Sequence, residues 1–488
     1  MKNDILENSK MSQISEKTGG NGAEELKTRM RTAERIASAV AKSGGRAYYV
    51  GGFVRDRIME KEGMKSGASA SPDIDIEVHG IEAARLRGIL SDFGEVLTVG
   101  ESFGIFTLRG SGIDIAMPRT EKAVGRGHRD FETFTDPFIG TEKAASRRDF
   151  TVNAIMEDIL TGQTVDHFDG AGDIKRRLLR HVNTQSFPED PLRVLRAAQF
   201  AARFGFDVDP KTAALCRTVD ISSLPGERVE GELKKALLLG DRPSVFFEFL
   251  RKTGHLEPFF DELEATCGVE QDPLFHAEGD VFTHTMMVTD EAAGLRERAV
   301  RPYPFMLSAV AHDLGKAVTT VKDSGGRIHS YGHDTAGVAL AEKMLRRFTN
   351  EKSLIRYVGN MTLLHMMPNH LAMQNSSVKA TNRMFDRSCE PSDLILLGLA
   401  DSYGMEHSHP YIDSETFLRE RYGVFLETMA KPYVTGSDLT AAGLVPDGRF
   451  GELLDFAHKL RLAGVSKEDA LRQTLSYARR PPAEKKKR

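Results

Sequence analysis

Apolar residues recur at helical spacing at Leu26, Met30, Ala33, Ile36 and Val40, and Gly44 with Gly45 end the repeat. An amphipathic helix is therefore predicted there, after a polar segment, residues 1–22, that carries no such pattern. The β-prone run RAYYV leads straight into GGFVRDRIME, a glycine turn opening a helix, and KEGMKSGASASP then reads as a flexible loop. DIDIEVHG alternates apolar and polar positions, and EVLTVG, FGIFTLRG and IDIAMP read as further strands. Residues 46 to about 120 are thus predicted to form a small mixed α/β sheet domain. Beyond about residue 141 the pattern turns helical. From EDPLRVLRAAQFAARFGF onward helices are predicted almost throughout, with breaks near Pro225, Pro273 and Pro432 and around the loop Lys322 to Arg327. No internal repeat interrupts this order. The fold class is α+β: a small mixed-sheet head followed by an all-helical body.

Composition narrows the possibilities. A chain of 488 residues with 40% hydrophobic and 28% charged residues buries ample core and divides into several domains. The first thirty residues hold no apolar run, and no later stretch approaches the ~20 uncharged residues of a membrane span, so neither export nor membrane insertion is indicated. Cys216, Cys267 and Cys389 are odd in number and far apart, which suits a reducing cytoplasm and offers no disulfide framework. The net charge of -4 announces no nucleic-acid partner, so RNA contact must come from local clusters. Lys175, Arg176, Arg177 and Arg180 form one, and Arg193, Arg196 and Arg203 another; either taken alone reads as a solvated face. The basic tail, residues 479–488, reads the same way.

Asp73 and Asp75 are two apart in a predicted strand, so both carboxylates leave the same face and can share a pair of divalent cations. Hard oxygen ligands suit Mg²⁺ and phosphoryl transfer, and Asp114, on a later strand, is the candidate third carboxylate. An isolated Asp-x-Asp is common and binds nothing in most proteins. Its meaning changes with Gly51 and Gly52 just upstream, which follow a strand and open a helix bearing Arg55 and Asp56. Such a turn presents backbone amides to phosphate, and Arg55 adds a charge.

With GGFVRD followed by DIDIEV, the chain resembles the class II tRNA nucleotidyltransferases and bacterial poly(A) polymerases of the polymerase-β-like superfamily. RRDFTVNAI resembles that family's ribose- and phosphate-contacting motif, which implicates Arg147, Arg148, Asp149 and Asn153. DGAGDIKRRLLR resembles the segment between head and neck. EDPLRVLRAAQFAARFGF resembles the nucleotide-selecting helix, with Glu189, Asp190, Arg193 and Arg196 in the motif positions. RVEGELKKAL, from Arg228, is similar to the last motif. Five ordered motifs make coincidence very improbable. The resemblance implies template-independent addition of CCA to tRNA 3′ ends from CTP and ATP. Chemistry agrees: with Asp190 and Arg193 one helical turn apart, the first accepts from the exocyclic amine of cytosine or adenine and the second donates to ring acceptors of the same base. An Asp–Arg salt bridge on a helix surface is the plainer alternative.

Downstream, HAEGDVFTHTMMV supplies His284, and LSAVAHDLGKA sets His312 beside Asp313 after an apolar run. SYGHDTAG, LLHMMPNH and LGLADSYG add His333, His365 and Asp401. Imidazole and carboxylate ligands of this kind suit one or two divalent transition metals. AHDLGK with a downstream His and Asp resembles the HD-superfamily phosphohydrolases, which points to His284, His312, Asp313 and Asp401 as ligands; His333 and His365 are further candidates by residue type, and Lys316 is a candidate phosphate contact. The pairing of domains resembles CCA-adding enzymes with a C-terminal HD module, which implies 2′-phosphatase and 2′,3′-cyclic phosphodiesterase activity with a metal such as Ni²⁺ or Mn²⁺.

The expected organisation is a disordered segment 1–22, a nucleotidyltransferase head 23–160, a helical neck 161–270, an HD domain 271–410, a helical region 411–478 and the tail 479–488. Two other functions fit the same residues: a poly(A) polymerase adding only AMP, and an RNA-binding scaffold with inactive sites.

Overall fold

The structure, a computed structural model, describes residues 23–65, 74–98, 104–123, 131–273, 276–405 and 414–479. The expected disorder of residues 1–22, most of the loop expected before Asp73, and the end of the basic tail lie outside them. The chain divides into two compact units, residues 1–258 and 259–488.

In the first unit, helix α1 (23–42) precedes strand β1 (Arg46–Val50), helix α2 (Gly52–Lys61), β2 (Ile74–His79), α3 (Ala83–Ser91), β3 (Val96–Thr98), β4 (Ile105–Leu108) and β5 (Ile113–Ala116). Every strand expected up to residue 120 is present. The sheet continues past residue 120, however. After the hairpin β6 (Arg119–Ala123) and β7 (Phe131–Thr135) and helix α4 (Thr141–Ser146), β8 (Met156–Asp158) and β9 (Thr164–Val165) add to it, giving the order β3-β4-β5-β2-β1-β8-β9. Strands of three and two residues are too short to display alternation, and β8 is recruited by pairing with Tyr48, Tyr49 and Val50 rather than by its own pattern. Among the described strands of this sheet only β2 and β5 pair in parallel, joined by a crossover. On β2, Ile74, Ile76 and Val78 are fully buried on one face, while Asp75, Glu77 and His79 share the other.

A helical body completes this unit. Helix α5 (Gly170–Arg176), the short parallel pair β10 (Leu178–Leu179) and β11 (Asp207–Val208), α6 (Leu192–Phe204), α7 (Pro210–Cys216), α8 (Gly226–Leu239) and α9 (Ser244–Thr253) follow, with α6 packed on α8 and α9. Phe150 locks the head to this layer: it is fully buried edge-on to Phe187 and Phe200, with centroids 5.8 Å away in both cases. Truncating such a side chain costs about 3–5 kcal/mol.

Among its described residues the second unit is helical apart from one hairpin. It comprises α10 (Asp261–Glu264), α11 (Val281–Leu295), α12 (Pro302–Ala311), α13 (Lys316–Thr319), the hairpin β12 (Val321–Lys322) and β13 (Ile328–His329), α14 (His333–Leu345), α15 (Lys352–Leu364), α16 (Met366–Met373), α17 (Val378–Arg387), α18 (Pro391–Tyr403), α19 (Ser414–Ala430), α20 (Gly436–Ala441), α21 (Phe450–Leu462) and α22 (Lys467–Ala478). The hairpin occupies the predicted break around Lys322 to Arg327. Helix α12 is apolar all round, and its residues from Tyr303 to Ala311 are buried, the mark of a central helix. It packs on α11, α15 and α18. No described helix is long and apolar enough to cross a membrane.

Candidate functional sites

In the first unit the β1–α2 turn needs glycine: Gly51 has φ +70°, and a Cβ there would also lie 3.5 Å from Arg148 Nη1 and 3.6 Å from Asp75 Oδ2. The parallel register of β2 and β5 sets Asp75 opposite Asp114, both exposed on the same face, and Thr107 Oγ1 donates to Asp114 Oδ1 at 2.7 Å. Asp73 lies outside the described residues.

A cavity of about 490 Å³ opens beside Asp75. It gathers Gly51, Gly52, Arg55, Arg147, Arg148, Asp149, Asn153, Asp190, Arg193 and Arg196, ten residues singled out from the sequence, whereas Glu189 does not line it. Arg119, Arg203, Arg228 and Lys235 also line it, so cations far outnumber the three aspartates and the cavity suits a polyanion. Asp114 neighbours it through Asp75 rather than lining it.

The residues around this cavity are held by one another. Arg55 is buried, its Nε donating to Asp56 Oδ1 at 2.8 Å and its Nη1 to Asn153 Oδ1 at 2.7 Å, with the guanidinium over the Phe204 ring at 4.5 Å. It therefore braces three elements at the cavity wall. Asp149 accepts from Asn153 Nδ2, from the Phe150 amide and from Arg196 Nε. Burial alone would raise the Asp149 pKa, and the Arg196 charge together with these hydrogen bonds holds it below the usual value.

Asp190 and Arg193 do not share one helix. Pro191 forces its predecessor out of the helical region, so Asp190 is extended at φ -115°, and α6 starts at Leu192. Asp190 Oδ1 caps the Leu192 amide at 3.2 Å and Oδ2 lies 3.4 Å from Arg228 Nη2. Arg193 bridges two carbonyls, Ser186 and Arg147, each at 2.7 Å. Both side chains still line the one cavity.

Sequence reasoning passed over Glu77. It is 1% exposed, lies 3.0 Å from Arg148 Nη2 and 3.0 Å from His79 Nε2, and so anchors an arginine of the cavity. Burial opposes its charge, but His79, Arg148 and Arg147 hold its pKa at about 2. The signal was the third acidic position in DIDIE, in the same two-residue register as Asp73 and Asp75.

The second unit brings its six predicted residues together. His284 comes from α11, His312 and Asp313 from the end of α12, His333 from the start of α14, His365 from the α15–α16 junction and Asp401 from α18; all are buried. They form two trios, His284–His312–Asp401 and Asp313–His333–His365. Asp313 joins them: Oδ2 lies 3.4 Å from His312 Nε2 and 3.7 Å from His284 Nε2, and Oδ1 lies 3.3 Å from His333 Nε2 and 3.5 Å from His365 Nε2. Each Nδ1 is held from behind, by the carbonyls of Ala309, Ser330 and Thr362 for His312, His333 and His365, and by Glu278 Oε1 for His284. Those contacts turn all four Nε2 atoms inward, the orientation a metal ligand needs. Glu278 sits in the HAEGDVFTHTMMV segment six residues before His284, a spacing that carries no ligand signal in sequence.

Gly315 makes the approach possible, since a Cβ there would sit 1.9 Å from the His333 carbonyl oxygen. Lys316 Nζ lies 2.6 Å from Asp313 Oδ2 and 2.8 Å from Gln271 Oε1. Burial would lower His284, yet Asp401 and Glu278 raise it to about 9, while the neighbouring cations hold Asp313 well below the carboxylate range against its burial. A cavity of about 580 Å³ opens onto Asp313, His333, His365 and Asp401.

Known proteins share this architecture. Residues 47–180 match the family described as Poly A polymerase head domain, and residues 205–267 the one described as Probable RNA and SrmB-binding site of polymerase A. The Multifunctional CCA protein of Stenotrophomonas maltophilia (strain K279a) is 41% identical over 56% of this chain, a match that spans 64% of that relative, just under two thirds of its length. The Multifunctional CCA protein of Alkalilimnicola ehrlichii is 32% identical over 80% of this chain and 92% of its own length. The solved Thermotoga maritima CCA-adding enzyme complexed with tRNA shares the fold at a TM-score of 0.59, with 18% identity over 93% of this chain and 98% of that one. A glycine turn, in-register strand aspartates and an arginine-lined cavity thus sit in a chain aligned along nearly the whole of a Multifunctional CCA protein, and the chain belongs to that family.

Proposed function

We propose that this chain is a template-independent tRNA nucleotidyltransferase that builds CCA on tRNA 3′ ends from CTP and ATP. The observation that carries the reading is the cavity in which the Gly51 turn, Asp75, Arg148, Asp190 and Arg193 converge. Asp75 and Asp114, exposed and in register, fit a site for Mg²⁺, and Asp73, two positions before Asp75, is the carboxylate the sequence pairs with it. Mg²⁺ bound there would supply charge neutralisation at the transferring phosphoryl group. The amides at the start of α2 and the arginines of the cavity hold the triphosphate. Asp190 accepts from the exocyclic amine and Arg193 donates to ring acceptors, so cytosine and adenine fit where uracil and guanine present a carbonyl. Arg193 must then exchange a carbonyl partner for the base.

The match to a poly(A) polymerase head supports a second reading, in which only AMP is added. Labelled CTP supplied with a tRNA lacking its 3′ end separates the two, because an enzyme adding only AMP leaves that label unincorporated.

For the second unit we infer a phosphohydrolase acting on 2′,3′-cyclic or 2′-phosphorylated RNA ends. The two trios fit divalent transition metals: Asp313 Oδ1 is buried without a hydrogen-bond partner yet faces two imidazole nitrogens. Metal held by these residues would supply charge neutralisation and an activated water. The fixed Nδ1 contacts keep the imidazoles oriented, and Lys316 lines the cavity where a phosphate would enter. Removal of a cyclic phosphate restores the hydroxyl that nucleotide addition requires. Hydrolysis of cyclic CMP by the wild type and its loss in Asp313→Ala, with CCA addition intact, is the expected result. No product with Ni²⁺, Mn²⁺, Co²⁺ or Mg²⁺ would falsify the hydrolase reading.

A further inference from the structure

The cavity of the second unit has buried polar side chains at its floor, and exposed apolar side chains stand among the polar ones at its mouth. Asp313, His333, His365, Asp401 and Lys316 form the floor. Toward solvent stand Tyr331, 74% exposed, and Met366 and Met373, 48% and 68% exposed. Single exposed apolar residues are ordinary on a protein surface, but three converging on one cavity mark a ligand contact. Their placement is built into the fold. Met366 and Met373 are seven residues apart on α16 and so share one helix face. Tyr331 lies between β13 and the first ligand of α14, and its ring stacks on His329 with centroids 4.4 Å apart and planes at 29°. That stack presets a flat aromatic face two residues from His333.

We propose that this mouth is a nucleobase subsite, in which the base of a 3′-terminal nucleoside stacks on Tyr331 against the Met366 and Met373 wall while its phosphate reaches the floor. The inference deepens the hydrolase reading above and rests on it. The chemistry of the two ends selects the ligand. Buried imidazoles, carboxylates and a lysine suit a phosphate, an aromatic face suits a base of any identity, and adaptable thioethers tolerate both purines and pyrimidines. A cavity of about 580 Å³ also matches the size of a mononucleotide site. Arg327, which lines the same mouth, adds a cation for the chain's remaining phosphates.

The test compares kcat/KM of the metal-loaded full-length protein for 2′,3′-cyclic CMP with that for glycerol 1,2-cyclic phosphate, which has no base. In Tyr331→Ala the ratio is expected to fall about 5- to 150-fold, the range that loss of one base stack produces, and in Tyr331→Trp to stay within about threefold of the wild type. A short RNA ending in a 2′,3′-cyclic phosphate is run beside them. If its ratio falls too, the base enters as an RNA terminus; if only the mononucleotide responds, it enters as a free nucleotide, and either supports the subsite. An unchanged ratio in Tyr331→Ala overturns it. Calorimetric binding of cytidine 3′-monophosphate separates this from the hydrolase reading. Should the wild type turn over neither cyclic phosphate, the hydrolase reading fails, and the subsite then stands only if the nucleotide binds the wild type and is lost from Tyr331→Ala.

Discussion

Replacing Glu77 by glutamine keeps the side chain's shape and removes its charge, which mimics the protonated acid. The wild-type carboxyl ionises at about 2, against the ordinary 4.5, because His79, Arg148 and Arg147 outweigh the cost of its burial. That difference corresponds to ~3 kcal/mol favouring the folded state at neutral pH, and breaking a buried pair at one partner costs about 3–5 kcal/mol, so the two routes agree. Little solvent screening applies, since Glu77 is 1% exposed. Because the folded-state value is depressed, the ionised group stabilises fully above about pH 4.5, and its contribution fades as pH falls through about 2.

Hydrogen exchange of peptides covering β2 and residues 147–155 reads this free energy locally, free of the separate unfolding of the other unit. At pH 7 the opening free energy of these segments is expected to be ~3 kcal/mol lower in Glu77→Gln than in the wild type, and at pH 3 the gap shrinks to roughly half. A gap under about 1 kcal/mol at pH 7, or one that does not change with pH, refutes the reasoning.

Asp75→Ala and Asp114→Ala are expected to abolish nucleotide addition yet shift the melting temperature little, because both carboxylates are exposed; extension near the wild-type rate in saturating Mg²⁺ contradicts their role. Asp190→Ala and Arg193→Ala should erode CTP-over-UTP preference by about 1–3 kcal/mol, and Arg193→Lys should not restore it, because lysine lacks the planar fork that spans two acceptors; competitive incorporation measures this. Metal analysis of purified protein should show His333→Ala losing about half the bound metal and Asp313→Ala nearly all, since Asp313 turns one carboxylate oxygen toward the imidazoles of each trio and His333 belongs to one trio alone; equal content in both variants contradicts the bridging role. Thr435→Ala removes a capping box with Asp438 and should cost the α20 region about 1 kcal/mol by hydrogen exchange; no loss of protection there contradicts the capping role.

The residues legible in advance are those whose chemistry is compact in sequence. Gly51 and Gly52 beside Arg55, or His312 beside Asp313, announce themselves because a tight turn or a helix end requires neighbours in the chain. The β-prone run of β1 and the alternation of β2 show in sequence, whereas β8 exists by pairing with β1 more than a hundred residues earlier, and β9 by pairing with β8. The same long-range dependence hid Glu77, whose role is set by arginines about seventy residues away, and Arg228, which meets Asp190 only when α8 packs on α6. Helical spacing placed Asp190 on the selecting helix, and the backbone restriction before Pro191 removed it. His333 and His365 read as further ligands in sequence; the shared carboxylate of Asp313 shows how two trios close around one residue.

Template-independent addition of a defined trinucleotide leaves a product of fixed length. A tRNA lacking its 3′ CCA, incubated with the full-length protein, Mg²⁺ and labelled CTP and ATP, tests it most directly on a sequencing gel. The expected product is longer by C, C and A and stops there, with two additions from CTP alone. Extension by ATP alone into long tails, or no extension at all, contradicts the account.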